Sequence, residues 1–161
     1  MGEPTPLTAS PGSGEFDELF AREHQPMVRL ATLLVGSSHL AEEVVQDAFD
    51  SVDARWDEID RPGAYLRTVV VNGSRAVLRR RELEQRTNEL HVVDQDDHIP
   101  TRLLELRDAL DQLSARQRAV IVLRFFVDLP DAEIASTLGC RPSTVRSLAR
   151  RALHALREEL R

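Results

Sequence analysis

DAEIASTLGCRPSTVRSLAR, residues 131–150, reads as two short helices around a glycine turn. Counting Asp131 as the first position, Ile134 is fourth, Ala135 fifth, Leu138 eighth, Gly139 ninth and Val145 fifteenth. Ala135 is small enough for two helices to cross closely, and Gly139 supplies the positive φ that such a turn needs. Ile134, Leu138 and Val145 pin the second helix onto the first. Pro142 suits a first helical turn, where its missing N–H costs nothing. Cys140 fills an apolar position of the pattern and reads as core. At 100° per residue, Arg146, Arg150, Arg157 and Arg161 fall within about 60° of one another. Val145, Ala149, Ala152, Leu156 and Leu160 form the opposite stripe. A helix that is apolar behind and arginine-faced in front fits a DNA major groove. The competing reading is a plain helical hairpin with a solvated basic face. The full spacing favours DNA.

Upstream the pattern is helical throughout. Phe16, Leu19, Phe20, Met27, Leu30, Leu33 and Leu34 recur mainly at three- and four-residue steps before Gly36. Ser37 or Ser38 can cap a second helix, whose apolar stripe is Leu40, Val44, Val45, Ala48, Phe49 and Val52. A turn region over residues 56–63 follows, and Pro62 is placed to open a third helix. That helix buries Tyr65, Leu66, Val69 and Val70 and runs out through Arg75, Arg79, Arg80 and Arg81. Val69–Val71 is β-branched, yet an isolated strand without a partner is the poorer choice. Beyond residue 100, Leu103, Leu104, Leu106 and Leu110 mark one helix. Val120, Ile121, Leu123 and Phe125 mark another, over 115–126. The expected fold is all-α, as two small helical domains joined by a flexible acidic linker. The expected divisions are a disordered leader 1–14, a first domain 15–81, a linker 82–100 and a second domain 101–161.

With 161 residues the chain holds one ordinary domain or two small ones. A hydrophobic share of 42% excludes a disordered chain, and 4% aromatic makes the cores mostly aliphatic. No apolar run approaches the ~20 residues that span a bilayer, and no basic-then-apolar signal segment opens the chain. The single cysteine permits no internal disulfide, which suits a reducing, cytoplasmic setting. All 21 basic residues are arginine, a planar donor matched to phosphate and guanine edges. Charge is segregated. Residues 1–60 hold 13 acids and 3 arginines, whereas 61–81 hold 6 arginines and no acid. Residues 82–100 carry 6 acids and 1 arginine, and 141–161 carry 6 arginines and 2 acids. An acidic chain with two compact basic blocks resists indiscriminate DNA binding until a partner masks its acid.

HLAEEVVQDAF (39–49), AYLRTVVVN (64–72), LDQLSARQRAVIVLRF (110–125) and DAEIASTLGCRPSTVRSLARRAL (131–153) stand in this order. In these stretches the chain resembles bacterial sigma factors of the extracytoplasmic-function (ECF) group, particularly the short actinobacterial sigma-E-like kind, from about Phe16 to Leu160. The resemblance implies a first domain that docks on core RNA polymerase and opens the promoter −10 element. It implies a second domain that reads the −35 element. Glu42, Glu43, Gln46, Asp47 and Asp50 match the helix that docks on the polymerase β′ clamp, while Phe49 reads as core. The 56–63 loop matches the segment that captures a flipped base, bringing in Trp56 and Arg61. Asn72 helps hold that base, and Arg75, Arg79, Arg80 and Arg81 follow the strand. Trp56 either stacks on DNA or plugs the helix junction. For the −35 element the residues are Arg141, Ser143, Thr144, Arg146, Ser147, Arg150 and Arg151. Phe125, Phe126 and Leu129 lie where a β-flap contact is made, although Phe125 reads as core packing.

The chain departs from the family pattern at several positions. Ala76 stands where a second Asn or an Asp is often found, so no −10 preference is transferred. Ser114 replaces a proline, and Pro130 takes the place of a capping Ser, leaving Asp128 to cap. Leu148 replaces a frequent arginine and removes a DNA contact. No catalytic residue, cofactor or metal site is expected: His24, His39, His91, His98 and His154 share no ligand spacing with Cys140 or the acids. No phosphate-cradling glycine loop is present. The alternative function is a stand-alone helix-turn-helix regulator binding its operator as a dimer, but no dimerisation helix or ligand domain is visible. A protein-only adaptor is a third. The expected state is a monomer when free, with promoter DNA and polymerase as partners; whether an anti-sigma factor holds it is left open.

Overall fold

The computed structural model describes residues 12–87 and 101–159, without the side chains of 101–104. Among these residues every regular element is helical. They are α1 (Ser13–Val35), α2 (Ser38–Ala54), a 3₁₀ turn (Trp56–Glu58), α3 (Pro62–Thr87) and α4 (Thr101–Asp111). Then come α5 (Ala115–Ile121), a π-helical turn (Val122–Phe126), α6 (Asp131–Leu138) and α7 (Pro142–Glu159). Helices α1, α2 and α3 pack on one another; α5 and α6 pack on α7, and the π turn packs against α5 and α6. The two bundles also touch, so their buried side chains form one continuous cluster.

Local chemistry sets the boundaries. Gly36 ends α1 in the left-handed conformation, at φ 76°. Ser37 is the α2 cap, its Oγ accepting the Leu40 N–H at 3.3 Å. Pro62 is the first residue of α3. Val69–Val71 lie within that helix, with Val70 and Val71 fully buried, so packing overrides their β-branched preference. No Gly or Pro follows Arg81 to stop α3, which continues to Thr87. The leader up to residue 11 and linker residues 88–100 lie outside the described residues.

Ser114 has a use that a proline at this position could not fill. Its Oγ accepts the Gln117 N–H at 3.2 Å, and Gln117 Oε1 accepts the Ser114 N–H at 3.0 Å. This reciprocal box satisfies two otherwise orphaned amides. Ser114→Ala is expected to lower the unfolding free energy by about 1 kcal/mol, read by urea denaturation of the full chain.

Four expectations about the C-terminal half need correcting. The segment 115–126 is not one α-helix: it widens at Val122, and the Val127 N–H reaches the Val122 carbonyl at 3.1 Å. The wider turn swings the next side chains off the stripe of Val120, Ile121 and Leu123. Phe125 is therefore 62% exposed rather than core, and Phe126 is 47% exposed. Asp128 does not cap α6; it adopts φ 61°, and Pro130 opens the helix without a side-chain cap. Leu148 is buried, so its position faces the bundle interior rather than DNA.

Candidate nucleic-acid interface

Helix α7 carries the sharpest surface. Gly139 holds φ 65°, and the Cys140 N–H closes the turn on the Ala135 carbonyl at 3.0 Å. This aims α7 across α6, with Ile134, Leu138, Val145, Ala149 and Ala152 buried between neighbouring helices. Arg141, Ser143, Arg146, Arg150 and Arg151 are exposed; Thr144 and Ser147 are half-buried. Arg146, Arg150, Arg151, His154 and Arg157 line an open cleft of about 650 Å³ together with Arg124. Arg124 comes from the π turn, where it pairs with Asp131 at 3.4 Å. Its position outside the helix-turn-helix leaves no sequence signal. The cleft concentrates positive charge without a compensating acid on its lining, as a polyanion requires.

Helix α3 carries the second basic surface. Asn72, Arg79 and Arg80 are exposed, as is Arg61 just before the helix. Arg75 is half-buried; burial, then Arg116 and Arg79, push its pKa below the ordinary guanidinium value, with the Cys140 side chain opposing. Arg81 does not point along this track but donates to the Val35 carbonyl at 3.1 Å. Trp56 is half-buried, edge-on to Phe16 with ring centres 5.6 Å apart. Nearby, Arg55 donates to the Tyr65 hydroxyl and to Glu58, both at 3.2 Å, which ties the 3₁₀ turn to α3.

The exposed face of α2 is acidic. Glu42, Glu43, Gln46, Asp47 and Asp50 all face outward, while Ala41, Val44, Val45, Ala48 and Phe49 are buried behind them. Gln46 Nε2 donates to Asp50 at 3.1 Å and His39 lies 3.3 Å from Glu43, so the face is locally ordered. Among the described residues no group of His, Cys, Asp and Glu could hold a metal, and no helix is long and apolar enough to cross a membrane.

Comparison with known proteins bears on this layout. Sigma-70 region 2 matches residues 19–84, and Sigma-70, region 4 matches residues 103–156. The RNA polymerase sigma-E factor of Streptomyces coelicolor is 35% identical, the match covering 91% of this chain and 86% of that protein. The ECF RNA polymerase sigma factor SigE of Mycolicibacterium smegmatis is 30% identical, with 98% and 68% covered. The solved sigma factor RpoE, in complex with the anti-sigma factor NepR from Bartonella quintana, superposes with a TM-score of 0.75 at 25% identity. That superposition covers 91% of this chain and 96% of the other. The chain belongs to the sigma-70 family of RNA polymerase sigma factors, in its extracytoplasmic-function group, whose members are transcription initiation factors.

Proposed function

We propose that this chain docks on core RNA polymerase and directs it to a two-part promoter, with α2 as the docking helix. The single observation that carries this reading is the segregation of three polar faces. An acidic one lies on α2 and basic ones on α3 and α7, each backed by its own buried stripe. Glu42, Glu43, Gln46, Asp47 and Asp50 meet a basic clamp surface, which steers docking and hides acid that would repel DNA. Trp56, Arg61, Asn72, Arg75, Arg79 and Arg80 then meet the −10 element. A flipped base costs a few kcal/mol of stacking, offset by pocket and phosphate contacts. Arg141, Ser143, Thr144, Arg146, Ser147, Arg150 and Arg151 meet the −35 element, and Arg124 and Arg157 extend the phosphate track. The exposed Phe125 and Phe126 offer an apolar contact suited to the β flap. The domains divide within 82–100. The chain acts in the cytoplasm as a monomer before docking, carries no catalysis of its own, and takes an anti-sigma protein as a further partner. Run-off transcription tests the reading: core enzyme plus this chain should gain transcripts from promoters of its own genome. No gain on any promoter selected there would refute it.

A further inference from the structure

The basic cleft beside α7 contains one polar side chain that neither the promoter reading nor the packing of the helices uses. His154 is exposed on α7, eight residues beyond Arg146 and therefore ~12 Å further along the axis. At 100° per residue it stands about 80° round the helix from Arg146 and about 40° from Arg150. It thus shares their face, opposite the buried stripe of Val145, Ala149 and Ala152. With Arg124, Arg146, Arg150, Arg151 and Arg157 it lines the cleft. Among those lining residues histidine alone belongs to a type that changes charge between pH 5 and 8.

The surroundings of His154 decide what it can bind. Four arginines face the cleft from α7 itself, and Arg124 faces it from the π turn. Helices α4, α5 and α6 also pack on α7, yet none of their described residues joins the lining. Two acids stand beside it. Asp131 of α6 is held by Arg124 at 3.4 Å, and Glu158 is one turn beyond His154 on α7. Five guanidiniums and no acid on the lining make a polyanion the fitting occupant. An imidazolium adds one charge and two N–H donors to that set, whereas a neutral imidazole adds one N–H and no charge.

The consequence rests on the −35 reading of α7 given above. The first turns of a recognition helix reach base edges, and later positions meet the phosphate backbone. A phosphate binds the imidazolium better than the imidazole, so a contact through this side chain takes up a proton. The sign follows directly: the contact is present at low pH and is lost as pH rises. The arginines, charged at every relevant pH, contribute no such dependence. We propose that His154 is a phosphate contact of the −35 face that acts only when protonated, so that the grip of this chain on promoter DNA strengthens as its medium acidifies.

Anisotropy titrations of reconstituted holoenzyme test this, using a promoter duplex selected by run-off transcription and buffers between about pH 6 and pH 8. Two variants bracket the wild type: His154→Gln is neutral throughout, and His154→Arg is charged throughout. Because polymerase brings its own titrating groups, the quantity read is the affinity ratio of wild type to His154→Gln at each pH. That ratio should be about threefold to tenfold at the acid end and near one at the alkaline end. His154→Arg should exceed His154→Gln by a similar factor at every pH. The wild-type salt slope should steepen by about 1 at the acid end, while that of His154→Gln stays constant. A wild-type to His154→Gln ratio that does not vary with pH overturns the contact. A pH response with an unchanged salt slope places the proton away from phosphate and overturns it as well. Failure of wild-type holoenzyme to bind the duplex at any pH overturns the −35 reading, and the contact falls with it.

Discussion

Arg146→Ala combined with Arg150→Ala is expected to abolish promoter selection by the reconstituted holoenzyme while leaving its assembly intact. Both guanidiniums are exposed on one face of α7, one helical turn apart, and neither has an acidic partner on the cleft lining. Removing a guanidinium that hydrogen-bonds a base edge should weaken promoter binding by about 1–3 kcal/mol. Removing one that pairs with a phosphate should reduce the salt slope by about 1. The helix itself should survive, because alanine favours helices and the buried stripe of Val145, Ala149 and Ala152 is untouched. Anisotropy titrations against promoter duplex at several salt concentrations read both quantities. Unchanged affinity would remove α7 from the −35 role.

Phe49→Ala is expected to be the most destabilising single change in the N-terminal bundle. Among the described residues Phe49 is the largest fully buried side chain, at 1% exposure, and it is ringed by Phe16, Phe20 and His24. Its ring lies 4.7 Å from that of Phe20 and 6.2 Å from that of Phe16. Truncation strips away this aromatic packing and leaves a cavity, at a cost of about 3–5 kcal/mol in urea unfolding. Polymerase docking should fail with it, since Gln46, Asp47 and Asp50 sit on the same helix. Phe125→Ala provides the contrast. At 62% exposure it should change stability by no more than about 0.5 kcal/mol, while weakening holoenzyme if the flap contact is made. Equal destabilisation by both changes would contradict the exposure assigned to the π turn.

The helix-turn-helix is legible in the sequence because its determinants are local: a small residue at the crossing, a glycine at the turn and a fixed apolar spacing. The acidic face of α2 is legible for the same reason: Glu43 and Asp47 stand one helical turn apart, each about 100° round the helix from the buried residue that follows it, Val44 or Ala48. Phe125 is misleading because a single widened turn shifts every later side chain, and nothing in VLRFF signals that widening. Asp128 misleads because a capping role depends on where the preceding turn delivers the chain. The arginines at the end of α1 are invisible as a group. Arg81, Arg107 and Arg118 reach the carbonyls of Leu34, Val35 and Gly36 across 46 to 84 residues of chain. A charge count treats them as basic residues like any other. Only tertiary packing separates these structural arginines from the exposed ones of α3 and α7.

The most direct measurement is equilibrium binding of the full-length chain to purified core RNA polymerase, alone and with Asp47→Arg in α2. Saturable capture by wild type, sharply weakened by the charge reversal, is the expected result. A wild-type chain with no measurable affinity for core polymerase would contradict the claim that α2 docks it, however firmly α7 binds a promoter duplex.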